Sequence, residues 1–212
     1  MSEPSKKHEP PVPATFAVAK DVQFEAGCYE DRDFRGLVCQ DTRSSDIEFF
    51  RCRFEGCRIL QSGFRGCRFE ECLFERCDLS LLQVTDSQFI GVRFVKTKML
   101  GIDWTAAVAP LSLAFQESIV SHSLFVGLRL QKMEMIQCTA HEVDFTRTNL
   151  TRAILTGSDL LGSRFADTNL SYADLSQATN YSIHPAMNRL KKTVFSLPEA
   201  VSLLAAFDII LK

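Results

Sequence analysis

From Phe49 to Trp104 every fifth residue is apolar: Phe49, Phe54, Ile59, Phe64, Phe69, Phe74, Leu79, Val84, Phe89, Phe94, Met99 and Trp104. The frame then slips by one residue and resumes as Phe115, Val120, Phe125, Leu130, Met135, Ala140, Phe145 and Leu150, continuing to Leu175. Two residues before each of these centres lies a second slot that takes small or modest side chains. It holds Cys52, Cys57, Cys67, Cys72 and Cys77 in the first run, and Ser118, Cys138, Thr148, Ser158 and Ala173 in the second. Helix and strand periods, about 3.6 and 2, account for neither row. Charge placement tests whether both rows face an interior. The two runs carry 28 Asp, Glu, Lys and Arg residues between Arg51 and Asp103 and between Glu117 and Asp174, and none falls on a centre or a small slot. Chance gives that result with odds on the order of one in a million, whereas burying an unpaired charge costs several kcal/mol.

A slower rhythm of twenty residues sets like over like: Phe49, Phe69 and Phe89, then Phe54, Phe74 and Phe94, then Leu130, Leu150 and Leu170. Four pentads closing into one square coil, with coils stacked about 4.8 Å apart by backbone hydrogen bonds, explain both periods. The fold class predicted is an all-β solenoid, a quadrilateral β-helix of about six coils or roughly 30 Å. Runs such as Asp144-Phe145-Thr146-Arg147, Asn149-Leu150-Thr151-Arg152 and Ala173-Asp174-Leu175-Ser176 resemble the pentapeptide-repeat family. That resemblance implies a right-handed quadrilateral β-helix over residues 47–180.

The flanks depart from the pattern. Residues 1–20 read as a disordered tail and 21–46 as irregular N-terminal coils or a cap, because Arg32 occupies a small slot and Cys39 and Ser44 are poor centres. The register slip at 105–114, which contains Pro110, reads as a one-residue bulge, with a short outward loop as the alternative. Over 181–212 the pattern gives way to a capping and dimerisation segment. Ser196-Leu197-Pro198-Glu199 has the form of a capping box, and Leu197, Val201, Leu204 and Ala205 line one face of a predicted C-terminal α-helix. An exposed solenoid end needs a cap, and this one is itself apolar. Val201, Leu204, Phe207, Ile209 and Ile210 are therefore the candidate interface of a homodimer.

Composition adds mostly exclusions. The formal charge of −2 argues against nucleic-acid binding through net charge, and the chain lacks a basic stripe with exposed aromatics, so no direct nucleic-acid partner is expected. No run approaches a membrane span, and no secretory signal is recognisable, which makes a cytoplasmic protein the expectation. The cysteines five apart fall on successive sides of the square and act as small hydrophobes rather than zinc ligands. His8, His122, His141 and His184 sit beside no candidate nucleophile. The expectation is a protein without enzymatic activity, metal or cofactor. Acting through its surface, it would use acidic positions Glu117, Glu134, Asp144, Asp159 and Asp174 to meet a partner.

Within the family, Met99-Leu100-Gly101-Ile102-Asp103-Trp104-Thr105, Ser123-Leu124-Phe125 and Phe195-Ser196-Leu197-Pro198-Glu199-Ala200 are similar to segments of the Qnr-type and albicidin-resistance proteins. The resemblance implies a dimeric, DNA-like rod that binds DNA gyrase or topoisomerase IV and protects it from quinolones or peptide toxins. Between Arg51 and Asp174 the chain carries 14 basic and 14 acidic residues, so any mimicry of DNA rests on their arrangement. The alternative is a scaffolding module that binds another protein and has no topoisomerase role.

Overall fold

The computed structural model describes residues 23–207 and 209. The chain winds into a right-handed quadrilateral β-helix of about eight turns. The first side stacks Tyr29, Phe49, Phe69 and Phe89 in parallel register, and the second stacks Phe34, Phe54, Phe74, Phe94, Phe115 and Met135. The six ladder phenylalanines from Phe49 to Phe94 are at most 1% exposed. Their rings lie nearly parallel, with centroids 4.8 Å apart for Phe49–Phe69 and Phe69–Phe89, 4.5 Å for Phe54–Phe74 and 5.2 Å for Phe74–Phe94. Coil spacing therefore delivers the offset-stacked distance that aromatic pairs favour.

The small slot does more than fill space. Ser158 Oγ accepts from the Cys138 amide one coil earlier at 3.0 Å and donates to the Met135 carbonyl at 2.8 Å, and Ser163 and Ser87 make the same double bridge. Cys52, Cys57, Cys72 and Cys77 direct their sulfurs at the equivalent carbonyls, those of Tyr29, Phe34, Phe49 and Phe54, at 3.2–3.4 Å. The cysteine slot is thus a weaker version of the hydroxyl slot, with a donor that satisfies an interior carbonyl.

At each corner, two residues past a centre, the backbone turns left-handed: φ is 51° at Arg51, 53° at Glu71, 63° at Lys132 and 60° at Arg152. Non-glycine residues occupy this conformation at a cost of about 1 kcal/mol. The amide freed by the turn is satisfied by the next coil, as Arg51 N donates to Glu70 O at 2.9 Å.

Residues 21–46, predicted irregular, are regular where described. The strands Gly27–Glu30, Asp33–Arg35, Val38–Gln40 and Arg43–Ser45 pair with the coil that follows. The poor centre Ser44 has a physical reason. It leaves room for Phe24, whose ring meets Phe49 at 5.3 Å and reaches Phe64, two coils on, at 6.0 Å. Phe24 plugs the N-terminal opening.

The slip at 105–114 is a short outward loop rather than a bulge. Val108 N still donates to Ser87 O with the reach of Arg53 N to Arg32 O in a regular coil, but by Leu113 the pairing with Val92 is offset by 21 instead of twenty, and Val108, Ala109 and Pro110 are exposed. The first side lacks a centre here. Trp104 fills the gap, fully buried, edge-on to Phe89 at 5.2 Å and stacked under Phe125 at 6.0 Å.

The C-terminus differs most from expectation. The β-helix does not end at 180: Val194–Phe195 pairs with Asp174–Leu175, and Arg189 with Asn169. The predicted α-helix is a 3-10 helix, Glu199–Phe207. The capping box does not form, because Ser196 Oγ accepts from the Gln177 amide of the preceding coil at 3.0 Å. With three residues per turn, Val201, Leu204 and Phe207 eclipse one another in a row, and all three are exposed, whereas Leu203 turns to the core. Ile209 is also exposed; Ile210 lies outside the described residues, as does the tail 1–20.

Candidate interaction surfaces

A coil filled with side chains leaves only its outside for function. A polar groove of about 570 Å³ crosses the fourth side, lined by Asp41, Arg43, Gln61, Gln83 and Asp103 among others; no His, Cys or Ser lines it. Among the described residues, no three His, Cys, Asp or Glu side chains form a group able to hold a metal. Burial pushes the Cys138 thiol up to about 12, which keeps it protonated.

The five acidic candidates do not converge. Asp144 lies on the fourth side, Asp159 on the third, and Glu134 and Asp174 on the second, in one column with Ile154 between them. Glu117, at the next corner, pairs with Lys96 at 3.5 Å. Three of the five also have a local structural role. Asp144 accepts from the Thr146 amide at 2.8 Å, Asp174 from the Ser176 amide at 2.8 Å, and Asp159 from the Leu161 amide at 3.2 Å. Asn149 and Asn169 do the same for Thr151 and Ser171. Each of these side chains sits just before a centre and organises a hydrogen-bonded corner, such as Thr148 N to Phe145 O at 3.1 Å. The signal was legible in the sequence as Asp or Asn before a centre with Ser or Thr after it, except at Asp159, where Leu161 follows. Asp159 is further held by Asn180 and His141 at 2.8 and 2.9 Å. Burial opposes its ionisation, but these bonds outweigh burial and set its carboxyl below the usual range.

Ion pairing divides the rod. In the first coils Arg51 grips Asp31 with two bonds of 2.7 Å, Arg53 meets Glu75 at 2.6 Å, and Arg76 bridges Glu75 and Glu55. The Arg51 and Arg53 guanidiniums accordingly hold Asp31 and Glu75 below the ordinary carboxylate range. Beyond Glu117, no Lys or Arg among the described residues lies within 4.0 Å of a carboxylate.

Two surfaces escaped the sequence reading in whole or part. Because the coil runs on to Phe195, Arg189, Lys191 and Lys192 join Arg129, Lys132 and Arg152 on the first side and double the number of its cations. At the C-terminal end Met187, Val194 and Leu197 extend the exposed apolar row of Val201, Leu204 and Phe207.

A four-sided coil built on five-residue units, with parallel ladders that repeat every twenty residues, defines a pentapeptide-type solenoid. The chain belongs to the pentapeptide-repeat family: models of the pentapeptide repeat region and of pentapeptide repeats in eight copies match residues 47–113 and 121–179. It is similar to the quinolone resistance pentapeptide repeat protein QnrB96 of Scandinavium goeteborgense, with 28% identity over 122 residues, or 57% of this chain and 56% of that one. The match thus spans little more than half the length of that curated relative. Two trypsin-treated variants of QnrB1, a plasmid-mediated fluoroquinolone resistance protein, share the fold. One has 18% identity over 88% of this chain and all of the other, with a TM-score of 0.53; the second has 19% identity over 88% and 98%, with a TM-score of 0.50. No helix among the described residues is long and apolar enough to cross a membrane.

Proposed function

We propose that this chain is a non-enzymatic cytoplasmic rod that works as a homodimer, binds DNA gyrase or topoisomerase IV, and shields the enzyme from quinolones or peptide toxins. The observation that carries this reading is its sequence similarity to a quinolone resistance repeat protein. Two surface features support it. The eclipsed row Val201, Leu204 and Phe207, with Val194 and Leu197, is an apolar patch of the kind that an isologous interface covers. On the second side, Glu134 and Asp174 stand two coils apart, about 10 Å, and flank Ile154; they present charge to a basic groove with one apolar contact between.

A gyrase supercoiling assay tests the reading. Purified protein at micromolar concentration inhibits the enzyme or rescues it from a fluoroquinolone or albicidin, and the effect weakens as salt rises. The double variant Glu134→Lys/Asp174→Asn, which removes both negative charges and keeps an acceptor for the Ser176 amide, loses the effect while its thermal melt stays close to the parent's. Leu204→Asp/Phe207→Asp yields monomers by light scattering with the coils intact. A folded dimer without effect on gyrase or topoisomerase IV across the micromolar range leaves a scaffolding module in place of this reading.

A further inference from the structure

We propose that the first side of the C-terminal coils binds the sugar–phosphate backbone of duplex nucleic acid without regard to base sequence. The side runs through four coils, centred on Leu130, Leu150, Leu170 and Leu190. It displays Arg129, Lys132, Arg152, Arg189, Lys191 and Lys192, all exposed, and no carboxylate. None of the six forms an ion pair among the described residues. Glu134 and Asp174 lie round the edge on the second side, and Asp167 at the corner with the fourth, beside Arg147. Lys132, Arg152, Tyr172 and Lys192 form one corner column, successive members linked by coil hydrogen bonds such as Tyr172 N to Lys191 O.

Three features favour a duplex backbone over other anions. The side spans about 14 Å, and a duplex lying along it carries on the order of eight phosphates over that length, both strands counted, of which those on the near face can be met. The single exposed aromatic is not a platform for stacking bases: Arg152 from one coil and Lys192 from the other each lie 5.9 Å from the Tyr172 ring centroid. A single strand, which relies on such stacking, gains little here. Nor does the side offer the apolar anchor around which protein interfaces are organised; apart from Tyr172, its exposed residues are Gln131 and the six cations. What remains is charge at a regular repeat, which is how phosphate is met when sequence is not read. The formal charge of −2 does not prevent this, because most of the compensating acid lies on other sides and salt screens it within about 8 Å.

The test uses the full chain and a fluorescein-labelled 20-base-pair DNA duplex of arbitrary sequence, with anisotropy read between 50 and 200 mM salt. Binding is expected with a dissociation constant of about 1–100 μM near physiological salt. If four of the six cations reach phosphates, affinity falls on the order of 100-fold across that range, with a log–log slope of about −3.6. Arg152→Glu/Lys192→Glu should weaken binding by at least tenfold at 50 mM salt and flatten the slope by about two. Arg93→Glu/Arg164→Glu changes net charge equally on other sides and should leave the affinity within about twofold of the parent. Matching thermal melts establish that the variants fold. The proposal is overturned by no binding at 50 mM salt, by equal loss in the two variants, by tighter binding of a 20-nucleotide single strand, or by equal binding of poly-glutamate, which would assign the side to an acidic protein.

Discussion

The coils before and after the loop at 105–114 solve the same geometric problem with different chemistry. The first half fills its centres with phenylalanine, its small slots with cysteine and its outer face with cross-coil arginine–carboxylate pairs. The second half makes leucine its commonest centre and serine or threonine its commonest slot, closes corners with Asp and Asn, and leaves its Lys and Arg side chains without carboxylate partners among the described residues. The difference shows where each half gets its coherence. The first is cemented through ring stacks and surface pairs. The second relies on interior hydrogen bonds, and its charges remain available to meet something else.

The largest expected effect attacks the stacks. Phe74→Ala, which opens a hole between Phe54 and Phe94, should cost about 4–5 kcal/mol in denaturant unfolding, against about 2–3 for Leu150→Ala in the other half. Equal losses would mean that ring stacking adds nothing beyond volume. Next come the slots. Ser158→Ala strands a buried amide and carbonyl and should cost about 1–3 kcal/mol, whereas Cys72→Ser, which supplies the stronger donor to Phe49 O, should change stability by less than about 1. If Ser158→Ala is silent, its double bridge is not holding adjacent coils.

The smallest effect is pH-dependent. Arg53 chiefly holds the Glu75 carboxyl below its ordinary value. A lowered carboxylate adds stability above the unfolded-state pKa, near 4.3, and loses it as pH falls through the folded value. Glu75→Gln should therefore melt earlier than the parent at pH 7, with the gap closing below about pH 4. A gap that persists at pH 3 would locate the effect in packing rather than in the ion pair.

The interior rows were legible because burial forbids charge so strongly that 28 charged residues left two clean gaps in every pentad. The ends were not, and for different reasons. Cys39 and Ser44 look wrong as centres unless Phe24 is known to reach past them, a tertiary compensation with no local signature. Beyond Asn180 the frame shortens, since Ile183 pairs with Phe165 at an offset of 18, and then recovers its twenty at Arg189. That stumble hid the last coil and, with it, half of the basic side. The 3-10 cap was misjudged because Leu197, Val201 and Leu204 fit the α-helical period, while docking against Ser182–Ile183 and Pro185–Met187 sets the actual winding.

The left-handed corners have one last implication. Their side chains project from four edges at the sheet repeat, and many different residues, from Arg51 to Tyr172, already occupy them. Each edge is a graduated scale about 4.8 Å per mark, and its marks can be rewritten one by one while the stacked rings and bridged slots inside register nothing.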